Sequence, residues 1–350
     1  MELAYISLGD NLPHPSTGHV PSDAEKHLAL IEQAVAAEAA GFDVLLLGEH
    51  HFNYFTISSP IVALAAIAQQ TRTIRLGTGV TLLPTRDPVY VAEEITTLDA
   101  LSGGRAEVGA GRGIHQGIYD AVGRSAAQAS EMLDEGLELL HRLLTEEDVT
   151  WSGRWRPALN GITIRSRPVQ ARIPLWSGST SNVDLFARLG LPCMWVATVY
   201  PFERLAPLAD RYRQAWVDAG RALGTLELGI GVHCHVGRTS QEARARFRPH
   251  FAHYFDCSAA IEKSNLQRAV APQARDMTLF DDVLFCGSTQ EIVDRIGAAR
   301  KLLGLTRIGL AIDLGGIDQT TALQQIDLLA TEVLPASPAD GAAARALGTE

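Results

Sequence analysis

Short apolar runs alternate with amphipathic stretches along almost the whole chain. The runs are rich in leucine, isoleucine and valine, which is typical of strands buried on both faces in a parallel sheet. Between them, apolar residues recur at helical spacing, as at Leu28, Ile31 and Val35. The pattern predicts eight strands, namely Leu3–Leu8, Val44–Leu47, Ile74–Leu82, a strand from Arg105, Leu175–Ser177, Cys193–Ala197, Leu226–Val236 and Ile308–Leu314.

Polar residues mark the expected ends of the helices. Asp87 followed by Pro88 is typical of a helix start, and Ser102-Gly103-Gly104 is typical of a helix end. Four further helix starts show a serine or threonine with an acidic residue three positions later, at Ser22/Glu25, Ser181/Asp184, Thr239/Glu242 and Ser288/Glu291.

Eight strands that alternate with helices predict a (β/α)8 TIM barrel, an α/β fold whose site lies in the loops at the carboxyl ends of the strands. A doubly wound open sheet is the competing architecture. It fits less well, because Gly109, Gly111 and Gly113 are spaced G-x-G-x-G and do not form the dinucleotide-binding fingerprint.

Two segments depart from the alternation. Val149–Trp155 and Gly161–Ser166 resemble the strands of a small hairpin, which predicts an insertion at about 148–168. Residues 256–280 have no clear periodicity and are expected to form a long functional loop before the last helix-strand units. We therefore expect one barrel domain over residues 1–335, followed by a flexible tail at 336–350.

Composition narrows the class of protein. Apolar residues make up 46% and charged residues 20%, as in ordinary globular proteins. The net charge of −10, with scattered Lys and Arg, argues against binding to nucleic acid or to anionic membranes. The amino terminus enters a strand directly, and no apolar run approaches membrane-spanning length. Four widely separated cysteines fit a reduced compartment, so a cytoplasmic location is expected.

Two strand ends carry candidate binding chemistry. Arg112 lies between glycines at the end of the fourth strand, where the backbone can approach a ligand and a lone arginine suits a phosphate. Gly178, Ser179 and Thr180 follow the fifth strand and precede a helix. They can act as a simple helix cap or as a phosphate site at the helix amino terminus, and the two interpretations are compatible.

Histidines suggest a second kind of chemistry. His50 follows the second strand between Glu49 and His51, and its side chain is expected to face away from theirs, which disfavours a shared metal. With a pKa near neutrality, His50 would exchange protons with a substrate. His233 and His235 form an H-x-H pair without a nearby carboxylate, so lining of the core or pocket is favoured and no metal site is expected.

The chain resembles the bacterial luciferase family, the luciferase-like flavin-dependent monooxygenases. The similarity lies in GEHHF, the glycine-rich strand and following helix start, DALSGGR with GAGRGI, RLGLP and TEVLP, which are Gly48–Phe52, Gly77–Val89, Leu98–Ile114, Arg188–Pro192 and Thr331–Pro335. This resemblance implies a barrel with one insertion, reduced FMN supplied by a separate reductase, and oxygenation of an organic substrate through a flavin hydroperoxide.

The resemblance also implies roles for single residues. His50 matches the histidine that acts in the oxygenation steps, and both Arg112 and Ser179 match residues that hold the FMN phosphate. The Gly79–Val80 bond falls where the family has a non-prolyl cis peptide facing the flavin. This chain departs from the luciferase α chain at two positions, with Gly111 in place of a reactive cysteine and His115 in place of a tyrosine.

We therefore expect a two-component FMN monooxygenase acting with dioxygen on a small organic substrate, and we expect a homodimer. Phe52 and His115 are the candidates for lining the substrate pocket. A deazaflavin-dependent oxidoreductase of the same superfamily remains one alternative, and a non-catalytic flavin-binding paralogue remains another.

Overall fold

The computed structural model describes residues 1–261 and 283–335. The strands in these residues are β1 (Glu2–Ser7), β2 (Val44–Leu47), β3 (Arg75–Leu82), β4 (Ala106–Gly111), β5 (Val149–Trp151), β6 (Leu159–Ile162), β7 (Leu175–Ser177), β8 (Cys193–Val196), β9 (Leu228–Gly237), β10 (Phe285–Ser288) and β11 (Arg307–Ala311).

Eight of these strands form a closed parallel ring in the order β1-β2-β3-β4-β7-β8-β9-β11, with β11 pairing back onto β1. The predicted (β/α)8 barrel is therefore confirmed. Strand β2 is buried on both faces, which explains why its sequence is apolar at every position. Val44 and Leu46 pack with Ala4 inside the ring, whereas Leu45 and Leu47 join the larger core between the ring and the helices.

The helices surround the ring. They are α1 (Asp23–Ala39), α2 (Pro60–Gln70), α3 (Pro88–Ser102), α4 (Gln116–Ala121), α5 (Ala129–Thr145), α6 (Val183–Leu189), α7 (Ala206–Asp218), α8 (Ser240–Ile261), α9 (Thr289–Leu303) and α10 (Gln319–Leu328). Over the described ranges, none of them is both long enough and apolar enough to cross a bilayer.

Most of the predicted helix ends are confirmed. Ser22 and Ser288 form capping boxes with the predicted glutamates, and Asp87 accepts a hydrogen bond from the Val89 amide. The prediction for α6 was wrong by one residue. Asn182 is the cap instead of Ser181, since its side chain accepts from the Leu185 amide and donates to Asp134 at 2.8 Å.

The departures from the alternation are partly as predicted. The hairpin exists as the antiparallel pair β5–β6, although its strands are shorter than expected. Strand β10 was not predicted, and it pairs with the last residues of β9 outside the ring. Residues 256–261, expected in a loop, continue α8. The remainder of that predicted loop and the predicted tail at 336–350 lie outside the described residues.

A buried ion pair lies at the amino-terminal end of the ring. Arg307 on β11 donates to Glu107 on β4 with an Nη2 to Oε2 distance of 3.1 Å, and it also pairs with Glu2 at 2.6 Å. The guanidinium stacks on Trp176, 3.9 Å from the ring centroid. Glu107 and Arg307 are both almost fully buried, and Glu107 is also paired with Arg75 at 3.2 Å, so these charges compensate one another within a small network.

The first and last ring strands are also tied at their carboxyl ends. Ser7 donates a hydrogen bond to Asp313 at 2.5 Å, and Lys26 lies 3.8 Å from the same carboxylate. Asp10 accepts from the backbone amides of Gly315 and Gly316 at 2.8 and 3.2 Å. We call this set of contacts the seam between β1 and β11.

Candidate functional site

The carboxyl ends of the ring strands form one rim, and the predicted site residues lie along it. His50 follows β2, whereas Arg112 and His115 follow β4. The ring centroids of His50 and His115 are 5.6 Å apart, although β3 lies between their strands. Gly178 and Ser179 follow β7, which pairs with β4. The fold therefore brings residues from three loops to one side of the rim.

The His50 imidazole is fixed by its neighbours. It packs on Phe55 with 4.0 Å between the ring centroids, and its backbone amide donates to the Ile57 carbonyl at 2.9 Å. Part of the ring is accessible, but Nδ1 is buried and has no hydrogen-bond partner in the described parts of the chain. A polar atom left in this way is suited to a partner that arrives with a ligand.

Burial of the ring, together with the nearby imidazoles of His115 and His51, lowers the pKa of His50 well below its ordinary value. Burial also lowers the pKa of His115. The expectation that the pKa of His50 lies near neutrality is therefore wrong. The site presents two neutral imidazoles, which can accept a proton or share a hydrogen bond but add no positive charge.

Glu49 and His51 contact each other, and His50 takes no part in that contact. The Glu49 carboxylate lies 2.9 Å from His51 Nε2 and 3.6 Å from an Arg86 nitrogen. It also accepts a hydrogen bond from the Leu82 amide at 3.2 Å. The predicted opposite orientation of His50 is thus confirmed, and Glu49 ties the end of β2 to the end of β3.

The Gly79–Val80 peptide is cis, as the family resemblance implies. Two glycines make room for the Val80 side chain, because a Cβ at Gly111 would lie 2.5 Å from Val80 Cγ2 and one at Gly178 would lie 2.9 Å from Val80 Cγ1. The Val80 carbonyl accepts from the Glu49 amide at 3.1 Å. The Gly79–Val80 backbone and the Val80 side chain therefore lie on the rim between His50 and Gly178, and the glycines on either side let the Val80 side chain pack closely on their backbone.

Arg112 and Ser179 lie at neighbouring positions on this rim. Gly178, the residue before Ser179, donates to the Ala110 carbonyl at 2.8 Å, and Ala110 pairs with Ser177 in the sheet. The Arg112 guanidinium is exposed and forms no ion pair with any described carboxylate. The backbone carbonyl of Arg112 accepts from the Tyr119 hydroxyl, which holds the backbone of the arginine. An exposed, unpaired guanidinium suits a phosphate.

Ser179 and Thr180 differ in their surroundings. Ser179 is buried, its hydroxyl lies 2.8 Å from that of Ser181, and its carbonyl accepts from the Trp195 indole at 3.0 Å. Thr180 is exposed. The hydroxyl of Ser179 also accepts a hydrogen bond from the Ser181 amide at 3.2 Å, so part of its hydrogen-bonding capacity is already used within the turn.

A cleft of about 480 Å³ opens on one side of His50. Its walls include Phe52, which is 73% exposed, together with Tyr54 and Phe55. Of the two residues predicted to line a substrate pocket, Phe52 lines this cleft, whereas His115 does not and approaches His50 from outside it. The volume falls within the range of about 300–1,000 Å³ that is usual for small-molecule sites.

His233 and His235 are buried inside the protein, away from the candidate site residues on the rim. His235 stacks on Phe247 with centroids 4.9 Å apart, and His233 packs against Phe251 and Tyr254. Within residues 1–261 and 283–335, no three His, Cys, Asp or Glu side chains are grouped to hold a metal ion. The H-x-H pair therefore lines the core, the interpretation that the sequence favoured.

Sequence reasoning missed several residues that shape the site. Glu49 was considered only as a metal ligand, yet its buried carboxylate joins two strand ends. Asn11 and Asp23 line the cleft from the loop and helix that follow β1, and neither was singled out. A carboxylate directly after an all-apolar strand is a usable signal for Glu49, but no local pattern marks Asn11 or Asp23.

Comparison with known proteins decides the family. A family model described as luciferase-like monooxygenase matches residues 1–307. The chain belongs to the luciferase-like monooxygenase family. Several named relatives are monooxygenases, and the chain is accordingly an oxidoreductase.

Three relatives show the extent of the similarity to this family. The uncharacterized protein y4vJ of Sinorhizobium fredii is 28% identical over 91% of this chain and 94% of its own length. The 4-hydroxyprotoasukamycin monooxygenase of Streptomyces nodosus subsp. asukaensis is 32% identical, but the match covers 61% of this chain and 60% of that enzyme. The crystal structure of monooxygenase RslO1 from Streptomyces bottropensis superimposes with a TM-score of 0.82 at 25% identity, covering 96% and 99% of the two chains.

Solved structures of this fold differ in their cofactors. One neighbour is in complex with FMN and another is F420-dependent, and each is 19% identical to this chain. At that identity they establish the fold alone. Proteins of this fold therefore include one that is in complex with FMN and one that depends on F420.

Proposed function

We propose that this chain is the oxygenase component of a two-component FMN monooxygenase. It would take reduced FMN from a separate reductase and place one oxygen atom of dioxygen into a small organic substrate. The second oxygen atom leaves as water, with reduced FMN and the substrate each supplying two electrons. The observation that carries this proposal is the placement of His50, with its unpartnered Nδ1, beside the Gly79–Val80 peptide and on the same rim as Arg112.

The residues present fit FMN. The exposed Arg112 guanidinium and the turn at Gly178, Ser179 and Thr180 would hold the phosphate. The small apolar side chain of Val80, packed against Gly111 and Gly178, would contact the flat ring system. When bound in its reduced form, FMN supplies electrons and activates dioxygen, which protein side chains cannot do.

The protein contributes positioning and proton handling. The His50 imidazole would hold a polar group of the substrate by a hydrogen bond and would pass a proton only transiently, because burial lowers the pKa of His50 and keeps the ring neutral. Phe55 and the Ile57 carbonyl fix the orientation of His50. His115, from the next loop but one, approaches the same ring and would help to exclude water.

A deazaflavin-dependent oxidoreductase is the second candidate. It is favoured by a match of 37% identity over 38% of this chain with the 5,10-methylenetetrahydromethanopterin reductase of Methanolobus tindarius. That segment is short, and the longer matches with named enzymes, over 61% and 65% of the chain, are to monooxygenases.

Anaerobic equilibrium dialysis against reduced FMN and reduced F420 separates the two candidates. We expect tighter binding of reduced FMN, followed by incorporation of label from ¹⁸O₂ into neutral ketones, aldehydes or phenols when a reductase is supplied. Tighter binding of F420 with no label in any product would refute the oxygenase proposal. Binding of FMN with neither oxygen uptake nor product would instead identify a non-catalytic flavin-binding protein.

A further inference from the structure

The cleft beside His50 has one aromatic wall. The Tyr54 and Phe55 rings lie 4.4 Å apart, and Phe55 in turn contacts His50 with a centroid separation of 4.0 Å. Phe52 also lines the cleft with a largely exposed ring, whose centroid lies 5.7 Å from that of His51. The cleft therefore presents several aromatic rings beside the His50 imidazole, a surface that favours stacking with another aromatic ring.

The cleft is also lined by polar residues, one of which, Asp23, is a carboxylate. Asp23, in the first turn of α1, is exposed and accepts a hydrogen bond from the Asn11 amide at 3.3 Å. Thr56 and Ser58 add uncharged hydroxyl groups. Among the described residues that line the cleft there is no lysine or arginine, so an anionic ligand would meet a carboxylate without a compensating cation.

The charged groups near His50 do not offset this negative charge. The Glu49 carboxylate lies 2.9 Å from His51, and among the described residues its one cationic partner, Arg86, also pairs with Glu94. His50 itself is uncharged because burial lowers its pKa. A ligand in the cleft therefore contacts a neutral imidazole. The Nδ1 atom of that imidazole has no hydrogen-bond partner among the described residues.

We propose that this cleft binds the organic substrate, and that it selects an uncharged aromatic compound bearing a hydroxyl or carbonyl group. Phe52 provides the stacking face, Asp23 excludes carboxylates and phosphates, and His50 receives the polar group. The inference rests on the proposed function for the assumption that an organic substrate approaches His50, but the selectivity itself follows from the cleft.

Two ligands of similar size and different charge test the selectivity. At pH 7, 2-naphthol is neutral and 2-naphthoate is an anion. Binding of each to the full chain without flavin is measured by the fluorescence anisotropy of the ligand, so that no turnover is required. We expect 2-naphthol to bind at least about tenfold more tightly, the ratio expected from like-charge repulsion in a partly solvated cleft. Equal affinity, or tighter binding of 2-naphthoate, would overturn the proposal.

Two variants locate the selectivity within the cleft. Asp23→Asn removes the charge but keeps the shape, and the Ser22–Glu25 capping box still starts α1. We expect it to reduce the preference for 2-naphthol severalfold. Asp218→Asn is the matched control, because Asp218 is also an exposed helical aspartate with one amide partner, Gln214 at 2.8 Å. An equal effect of the two substitutions on the preference would contradict a role for Asp23.

The aromatic wall is tested with Phe52→Leu, which keeps an apolar side chain but removes the stacking face. We expect 2-naphthol to bind roughly 2- to 12-fold more weakly, the range of a single aromatic pair. Unchanged affinity would remove Phe52 from the binding surface.

Failure of the proposed selectivity can be distinguished from failure of the proposed oxygenase function. Selective binding of 2-naphthol by a chain that incorporates no label from ¹⁸O₂ would refute the proposed function and support the selectivity of the cleft. Labelled products formed by a chain that binds the two naphthalenes equally would support the function and overturn the substrate class.

Discussion

Arg112 offers a direct test of how the phosphate is held. Its guanidinium is exposed and has no described carboxylate partner, so replacing it with alanine breaks no ion pair and leaves no buried charge. The Tyr119 hydroxyl bonds to the backbone carbonyl of Arg112, a contact that alanine preserves. Arg112→Ala should therefore change ligand binding while leaving the free energy of unfolding almost unaltered.

The expected magnitude follows from the type of contact. A hydrogen bond to a charged group contributes about 1.5–3 kcal/mol, which corresponds to roughly 13- to 160-fold in the dissociation constant for reduced FMN. Riboflavin has no phosphate, so its affinity should change less than about twofold. Arg112→Lys keeps the charge but loses the planar fork, and it should fall between wild type and Arg112→Ala.

Anaerobic titration with reduced FMN and reduced riboflavin, followed by flavin fluorescence, measures both constants. Arg188→Ala is the matched control, since Arg188 is likewise exposed without a described partner for its side chain but lies in the last turn of α6, away from the rim. Equal losses of FMN and riboflavin affinity in Arg112→Ala would refute the phosphate role. The same loss in Arg188→Ala would show that net charge alone is responsible.

Three further predictions concern buried groups. His50→Ala should leave FMN affinity nearly intact but lower product formation by about 10²–10⁴-fold while dioxygen uptake continues; a tightly coupled variant at wild-type rate would contradict proton handling. Arg307→Met should lower the free energy of unfolding by at most about 3–5 kcal/mol in urea titrations, and adding Glu107→Gln should recover part of this, because the single change leaves the buried Glu107 carboxylate with Arg75 as its remaining cation. Burial lowers the pKa of His235 to about 3, so below pH 6.5 the unfolded chain binds a proton that the folded chain does not. Stability should therefore fall from pH 7 to pH 5, and His235→Leu should remove about 2 kcal/mol of that fall; an unchanged slope would refute this origin.

The ring strands were predictable because their sequences are strongly biased. Val44–Leu47 and Leu175–Ser177 have the predicted bounds, since the first is an apolar run between Asp43 and Gly48 and the second lies between Pro174 and Gly178. The cap of α6 was predicted less well, because Ser181 and Asn182 are both good caps by sequence. A tertiary contact, the hydrogen bond from Asn182 to Asp134, accompanies the observed choice.

The site was predictable in position but only partly in its electrostatics. Strand order placed His50 and Arg112 on one rim, and the cis bond at Gly79–Val80 is present. The lowered pKa of His50 depends on Phe55, which lies further along the loop after β2, and on His115, which lies in the loop after β4. Asn11 and Asp23 reach the cleft through a loop without periodicity, so no sequence pattern indicates their contribution.

The seam between β1 and β11 has a consequence for how the chain is made. β1 is synthesised before every other strand of the ring, whereas its partner strand begins at Arg307 and the partners of Asp10 are Gly315 and Gly316. While β2 to β9 are being made, one edge of β1 therefore has unpaired backbone groups, which is a surface prone to wrong pairing. A nascent chain halted before Arg307 should remain an open, protease-sensitive sheet that recruits chaperones, and synthesis of β11 with Gly315 and Gly316 should be what closes it.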